Sequence, residues 1–418
     1  MSAIPSTHTD SRPALDVERV RRDFPLLSRE VNGKRLVYLD SAATAQRPAG
    51  VIRAVREFYE QHNANVHRGV HRLSVESTEI FEAAREKGRA FVNAPDVREM
   101  IFVRGTTEAI NLVAQSWGRP RLRPDDEILV STMEHHSNIV PWQIVAQQTG
   151  ARVLPIAIDD EGTLDLADLE GKLGPRTRIV AVGHVSNSLG TRNPVARIAA
   201  LARAVGAVTV VDGAQAAPHY PIDVQALGCD FYAFSGHKVF GPMGIGFLWG
   251  RRELLEDMPP WMGGGDMIES VSFSGSTWAP LPSKFEAGTP NVAGAAGLGA
   301  ALDYVNGIGL DRIAAHDDAL LRYGTERLGQ VPGLRLIGTS PDKTGILSFV
   351  MEGIHPHDIG TIVDRDGVAI RTGHHCAQPV MERFGVPATV RASLTIYNDR
   401  ADIDRLVESL LGVREMFG

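Results

Sequence analysis

The chain has 418 residues, enough for two to three domains and a sizeable core. An apolar fraction of 43% with 22% charged residues is an ordinary globular composition, and a net charge of −7 with no basic block argues against a nucleic-acid partner. Two widely separated cysteines, Cys229 and Cys376, exclude a disulfide framework and fit a reducing, cytoplasmic setting, and no apolar run approaches the roughly 18 residues of a membrane span.

Met1–Pro13 is polar, with neither the basic start nor the apolar stretch of a signal peptide, and reads as a loose tail. Leu15–Phe24 is expected to be helical up to Pro25, and Leu36-Val37-Tyr38-Leu39-Asp40 to form a short strand running into Ser41-Ala42-Ala43-Thr44. Pro48 opens a helix with Val51, Val55, Phe58 and Tyr59 on one face. His62, Asn65, His67, Arg68, His71 and Arg72 crowd the next loop. No Cys or carboxylate joins them at ligand spacing, so the loop is expected to face substrate and not metal. A long helix follows, with Phe81, Ala84, Gly88, Phe91 and Val92 inward.

From Glu99 the pattern becomes strand, polar turn, helix, repeated. Met100–Val103 leads into Arg104-Gly105-Thr106-Thr107-Glu108 and a helix Ala109–Trp117, whose start offers free N–H groups to an anion. Asp126–Val130 runs to Glu134-His135-His136-Ser137-Asn138, and Arg178–His184 ends at Ser186-Asn187. Asn193 and Pro194 then open a helix with Val195, Ile198, Ala202 and Val205 inward, and the strands Val208–Val211 and Phe231–Phe234 complete the series. Strands alternating with helices imply an α/β fold with a mostly parallel, doubly wound sheet. Ligand groups then gather at the carboxyl ends of its strands, where Thr106, His135, Asn187, Asp212 and Lys238 all fall.

Phe231-Tyr-Ala-Phe-Ser-Gly-His-Lys238 is a buried strand that ends abruptly, with glycines at 236, 241, 244 and 246 allowing a tight turn. A lysine there enters a partly desolvated pocket, its pKa falls, and the neutral amine can form a Schiff base. One strand upstream, Val208-Thr-Val-Val-Asp212-Gly-Ala-Gln215 ends in a carboxylate. That pair suits pyridoxal phosphate: the acid keeps the pyridine nitrogen protonated and the lysine holds the aldehyde.

Trp261–Asn291 gives no regular period and is expected to be an ordered excursion, with a hairpin at an interface, before a glycine-rich helix to about Val305. A second α/β unit follows, with strands Ile346–Val350 and Val390–Leu394, a helix from about Asp358, and the segment Gly367–Ile370. Its last helix places Ile403, Leu406, Val407, Leu410 and Leu411 on one face. Arg391 lies between apolar residues, where an unpaired guanidinium is costly, which favours an anionic ligand. Arg371-Thr-Gly-His-His-Cys376 has the residue types of a metal site, yet adjacent residues cannot all turn to one ion, so no metal is expected.

Ser-Gly-His-Lys238, together with Val-Asp212-Gly-Ala-Gln, Arg-Gly-Thr-Thr-Glu108, Met-Glu-His-His-Ser-Asn138, His-Val-Ser-Asn187, Glu-Ala-Gly-Thr-Pro-Asn291 and Arg-Thr-Gly-His-His-Cys376, resembles the group II cysteine desulfurases. These are the SUF-type cysteine desulfurase and selenocysteine lyase branch of the class V aminotransferase fold, and the likeness runs from about Phe24 to the C-terminus. It implies a type I PLP-dependent transferase fold. The large cofactor-binding domain would be residues 34–304, and the small domain, carrying the cysteine loop, residues 1–33 and 305–418.

By the same resemblance Lys238 holds the cofactor and shuttles protons, Asp212 pairs with the pyridinium and Gln215 bonds the ring hydroxyl. His135 stacks on the ring, Thr106, Thr107, Ser235 and His237 hold the phosphate, and Thr289 reaches the partner's cofactor in a homodimer. Asn187 and Arg391 bind the substrate carboxylate, with Arg371 in the same pocket. Cys376 takes the sulfur of L-cysteine, leaving L-alanine and a persulfide, with His374, His375 and Arg371 favouring the thiolate. Cys229 reads as core. The short span from Arg371 to Cys376 resembles group II. His355-Pro356-His357-Asp358 resembles the version whose sulfur acceptor is a zinc-bearing, scaffold-like protein of the SUF system, which supplies iron-sulfur cluster assembly. The alternatives are a selenocysteine lyase, another class V lyase or aminotransferase, and a non-catalytic assembly subunit.

Overall fold

A computed structural model describes residues 15–417, so the tail Met1–Pro13 lies outside the described residues. A seven-stranded sheet runs in the order Met100–Val103, Gly246–Gly250, Phe231–Ser235, Val208–Asp212, Thr177–Gly183, Glu127–Ser131, Arg152–Ile156. The last five pair in parallel, and Gly246–Gly250 is antiparallel to both of its neighbours. Two of these strands, Gly246–Gly250 and Arg152–Ile156, go beyond the sequence reading. The first is flanked by the glycines of the Lys238 turn, and the second is a half-exposed edge strand.

Alternation along each strand splits the core in two. Leu129, Val211, Tyr232 and Phe234 face one apolar cluster, whereas Ile128, Val130, Val210, Phe231 and Ala233 face the other. Both faces are therefore covered, as a largely parallel sheet requires. The glycine-rich helix Val292–Ile308 packs on Ala49–Glu57 and Arg72–Phe91. Close approach is the reason for glycine at 297, where a Cβ would stand 2.5 Å from Pro242 Cγ and 2.6 Å from Val55 Cγ2.

A four-stranded antiparallel sheet follows the order Leu334–Ile337, Ile346–Met351, Thr389–Ser393, Arg371–Gly373. Leu347, Phe349 and Val390 form a third apolar cluster with Ile403, Leu406 and Leu410 of the closing helix Arg400–Phe417. The early strand Val37–Tyr38 pairs in parallel with Val368–Ala369, and Asp40 bridges to Ser393. Both ends of the chain thus meet beside this sheet.

Three local expectations are corrected. Tyr59 is 62% exposed, because Phe58–His62 forms a π-turn whose wider step rotates it off the buried stripe. Leu411 is 40% exposed at the edge of its stripe. The helix after Gly105 begins at Thr106 and ends as a π-turn at Val113–Gly118.

The excursion contains the expected hairpin, Ile268–Ser272 with Gly275–Trp278, and its tip Phe273 is fully exposed. Among the described residues no helix is long and apolar enough to cross a membrane, and no cluster of three metal-ligating side chains forms.

Candidate active site

One cavity, about 670 Å³ including its open mouth, is bounded by the strand ends of the large sheet and by Arg371, Cys376 and Arg391 from the smaller one. Thr106, Thr107, His135, Asn187, Asp212, Ser235, His237 and Lys238 all line it, as the strand-end rule predicted.

Lys238 closes the single turn Gly236–Lys238 that follows the strand Phe231–Ser235. Burial pulls its amine down to about 8, against the opposing attraction of Asp212. Asp212 ends the neighbouring strand, and its Oδ1 accepts the Ala214 N–H at 2.9 Å. Burial pushes this carboxyl up, and the Lys238 charge works against that shift.

His135 Nδ1 accepts the Ser137 N–H at 3.1 Å, which places the ring proton on Nε2. Burial, then the Lys238 charge, lowers its pKa to about 3, so the imidazole is neutral. His237 is lowered to about 4 by burial and then Lys238, and lies against Thr44.

At the helix start the Thr106 N–H donates to Ser235 Oγ at 2.9 Å, and the two hydroxyls are also 2.9 Å apart. Gly105 has φ +150°, and a Cβ on it would come within 3.1 Å of Ser235 Oγ. This corner is built for close approach of a polar group to backbone.

Arg391 is 2% exposed. Its Nη1 donates to the Asn187 carbonyl at 2.9 Å and its Nη2 to Asp40 Oδ1 at 3.2 Å, while Nε has no partner among the described residues. The guanidinium is therefore not unpaired, as its apolar strand suggested. Asp40 is a site residue that the sequence reading missed, and the available signal was a strand ending in a carboxylate. Arg371 Nε donates to the same carboxylate at 3.2 Å.

Cys376 is exposed to the cavity, and its φ of +56° follows +53° at His375, two successive left-handed residues without glycine. Such a pair costs roughly 1–2 kcal/mol per residue and must be held by its surroundings. The Cys376 carbonyl accepts the His136 N–H at 2.7 Å, the Gln378 N–H meets His136 Nε2 at 3.1 Å, and Asn187 Nδ2 donates to the His375 carbonyl at 2.6 Å. His375 is buried, with Nε2 2.8 Å from Thr389 Oγ1. Burial, aided by Arg391 and Arg371, lowers its pKa to about 3. A neutral imidazole cannot favour a thiolate by charge, which corrects the expected role of His375.

Gln215 is set back in a small recess that it shares with Asp212, His135 and Lys238, and donates through Nε2 to the Ala42 carbonyl at 2.7 Å. Glu134, unforeseen, is a second buried carboxyl in that recess. Burial pushes it up to about 7, although Ser131, Asn138 and the Gly183 N–H all donate to it.

Thr289 lines a different groove with Phe102, Arg104 and Gly288, so a single chain does not bring it to the cavity. The histidine loop also stays away from the cavity. His62 and His67 contact Glu76 and Glu82, while Arg68 pairs with Asp266. Cys229 is buried in the core as expected, and burial pushes its thiol up.

The profile of the aminotransferase class-V family matches residues 37–406. Over 97% of this chain and 98% of the relative, the sequence is 53% identical to a probable cysteine desulfurase of Streptomyces coelicolor. It is also 53% identical to a cysteine desulfurase of Pectobacterium carotovorum, over 96% of this chain and 99% of that one. Among solved structures, the cysteine desulfurase CsdA of Escherichia coli superposes with a TM-score of 0.91 at 44% identity, covering 97% of this chain and 100% of that chain.

Proposed function

This chain belongs to the class-V aminotransferase family, and from that premise we propose that it is a pyridoxal-phosphate-dependent cysteine desulfurase. The observation that carries the reading is one cavity holding a lysine amine, a buried strand-end carboxylate, a buried arginine and an exposed thiol.

The residues fit the cofactor. Asp212 is a buried carboxylate with its pKa raised, which a cationic pyridine nitrogen would relieve. With its pKa near 8, a useful fraction of Lys238 is neutral at neutral pH and able to hold an aldehyde. Thr106, Thr107, Ser235 and His237 would hold the phosphate at the helix start. Gln215 donates to Ala42 through an amide that has a second N–H to offer the ring hydroxyl. When bound there, pyridoxal phosphate supplies an electron sink for bonds at the substrate's α-carbon.

Arg391, with Asn187, would bind the substrate carboxylate beside Arg371. Lys238 and neutral His135, which carries its proton on Nε2, would hold and pass protons. Cys376 would take the substrate sulfur: the carbon–sulfur bond of L-cysteine breaks, a sulfur–sulfur bond forms on Cys376, and L-alanine leaves.

We take residues 34–304 as the cofactor-binding domain and 1–33 with 305–418 as the small domain. The hydrogen bonds that pin Cys376 support a group II, SUF-type enzyme whose persulfide passes to an acceptor protein for iron-sulfur cluster assembly. L-selenocysteine is a second substrate on this reading. The resemblance at His355–Asp358 favours a zinc-bearing, scaffold-like acceptor, and His355 Nδ1 accepts the His357 N–H, which leaves Nε2 to offer. The exposed Phe273 hairpin and the separate groove at Thr289 suit a homodimer that completes each site. Two free cysteines suit the cytoplasm.

The test is incubation of the yellow enzyme with L-cysteine, followed by alanine assay and mass spectrometry of its peptides. One added sulfur on the Cys376 peptide is expected. Sulfur on Cys229 alone, or alanine without any persulfide, would overturn the assignment.

A further inference from the structure

Asp40 holds two guanidiniums at once. Its Oδ1 accepts from Arg371 Nε and from Arg391 Nη2, both at 3.2 Å, and Oδ2 lies 3.3 Å from Arg371 Nε. The backbone that carries it is fixed. Ser393 N–H donates to the Leu39 carbonyl at 2.7 Å, and Ala42 N–H donates to Ser393 Oγ at 2.9 Å. The carboxylate therefore stands at a set place between a buried arginine and one that is 48% exposed.

The charges at this end of the cavity are two cations and one anion. Arg391 is also held by the Asn187 carbonyl and keeps an unpartnered Nε, so it remains equipped for a ligand carboxylate. Arg371 has Asp40 as its ion-pair partner among the described residues. A small amino acid has one α-carboxylate, which one net positive charge satisfies. An amino acid with an acidic side chain brings a second negative charge, and that charge meets an arginine already neutralised and the Asp40 carboxylate itself.

We propose that Asp40 is a specificity-determining residue: by occupying Arg371 it leaves one guanidinium charge for one carboxylate and rejects amino acids with anionic side chains. This rests on the reading of Arg391 as the carboxylate site. Removal of the Asp40 charge frees Arg371 as a second anion site within the same cavity.

L-Aspartate and L-asparagine have nearly the same shape and differ by one charge, so their ratio of affinities reads this device directly. Both are titrated into the holoenzyme, followed by the change in cofactor absorbance and by competition with L-cysteine. In the wild type asparagine should bind more tightly. In Asp40→Asn the aspartate-to-asparagine preference should shift towards aspartate by roughly tenfold or more. Arg371→Gln, with Asp40 retained, should shift it the opposite way, and this arm decides if Asp40→Asn does not fold.

An unchanged ratio in both variants overturns the proposal, even if both ligands bind more weakly. L-Alanine against L-alaninamide in the wild type checks the premise separately. If the amide binds as well as the acid, the Arg391 reading falls and takes this proposal with it. If the acid is preferred and the aspartate ratio does not move, Asp40 alone is misassigned.

Discussion

Arg391→Lys keeps a positive charge and removes the fork. Two of the three guanidinium nitrogens already serve Asn187 and Asp40, and Nε is free, so the arginine can bind a ligand without releasing the protein. A lysine has one ammonium and must choose between Asp40 and the substrate. Loss of one charge-assisted hydrogen bond is worth about 1.5–3 kcal/mol, or roughly a tenfold to hundredfold rise in KM for L-cysteine. The rate constant kcat should stay within about threefold, since the carboxylate is held alike in ground and transition states.

Burial adds a pH signature. It already lowers the Arg391 guanidinium to about 10, and a lysine at the same place starts from about 10.4 and falls further. Its ammonium therefore deprotonates as pH rises, and the KM defect should grow between pH 7 and 9 where the wild type stays flat. The assay is initial-rate alanine production with excess reductant, on protein whose cofactor content has been matched by absorbance. An unchanged KM with a reduced kcat would refute the carboxylate role.

Cys376→Ser should retain its colour and bind L-cysteine, yet make no persulfide and little alanine; full turnover in this variant would remove the thiol from the mechanism. Arg85→Met leaves Glu286 buried without the guanidinium that now donates to both of its oxygens, at a cost of about 3–5 kcal/mol. Urea unfolding reads that loss, and a midpoint equal to the wild type's would show that Glu286 finds another partner. Burial holds His135 near 3, His184 near 4, His237 near 4 and His375 near 3, all below their value of 6.5 in the unfolded chain. Between those limits the unfolded chain binds more protons, so stability falls as pH drops from about 6.5 towards 4. Glu134, raised to about 7, opposes this as a single group. The urea midpoint should be lower at pH 5 than at pH 7.5, and a higher one would show that the buried carboxyls dominate.

Much of the large sheet was legible because strands buried on both faces read as continuous apolar runs, and each such run ended in a polar residue. Thr106, His135, Asn187, Asp212 and Lys238 could be gathered into one place from that rule alone. Asp40 could not, because its partners Arg371 and Arg391 lie 331 and 351 positions away and no local pattern records the pairing. The neutrality of His375 was hidden for a similar reason: sequence shows a histidine beside the cysteine, and only the packed structure shows it buried against Thr389. Arg152–Ile156 escaped because an edge strand lacks the double burial that marks its neighbours.

Pairing of the first strand with the last part of the chain has a consequence for synthesis. Val37–Tyr38 finds its partner only at Val368–Ala369, Asp40 waits for Ser393, and Arg21 donates to the Tyr397 carbonyl. A growing chain can place Thr106, Asp212 and Lys238 at the ends of a sheet that is complete by Gly250, well before the arginines and the thiol exist. At roughly 5–20 residues per second that interval is on the order of ten seconds. A nascent chain would thus be ready to receive an aldehyde while it still has nothing to which sulfur could be passed. Reactive sulfur is kept out of the process until the final residues have emerged.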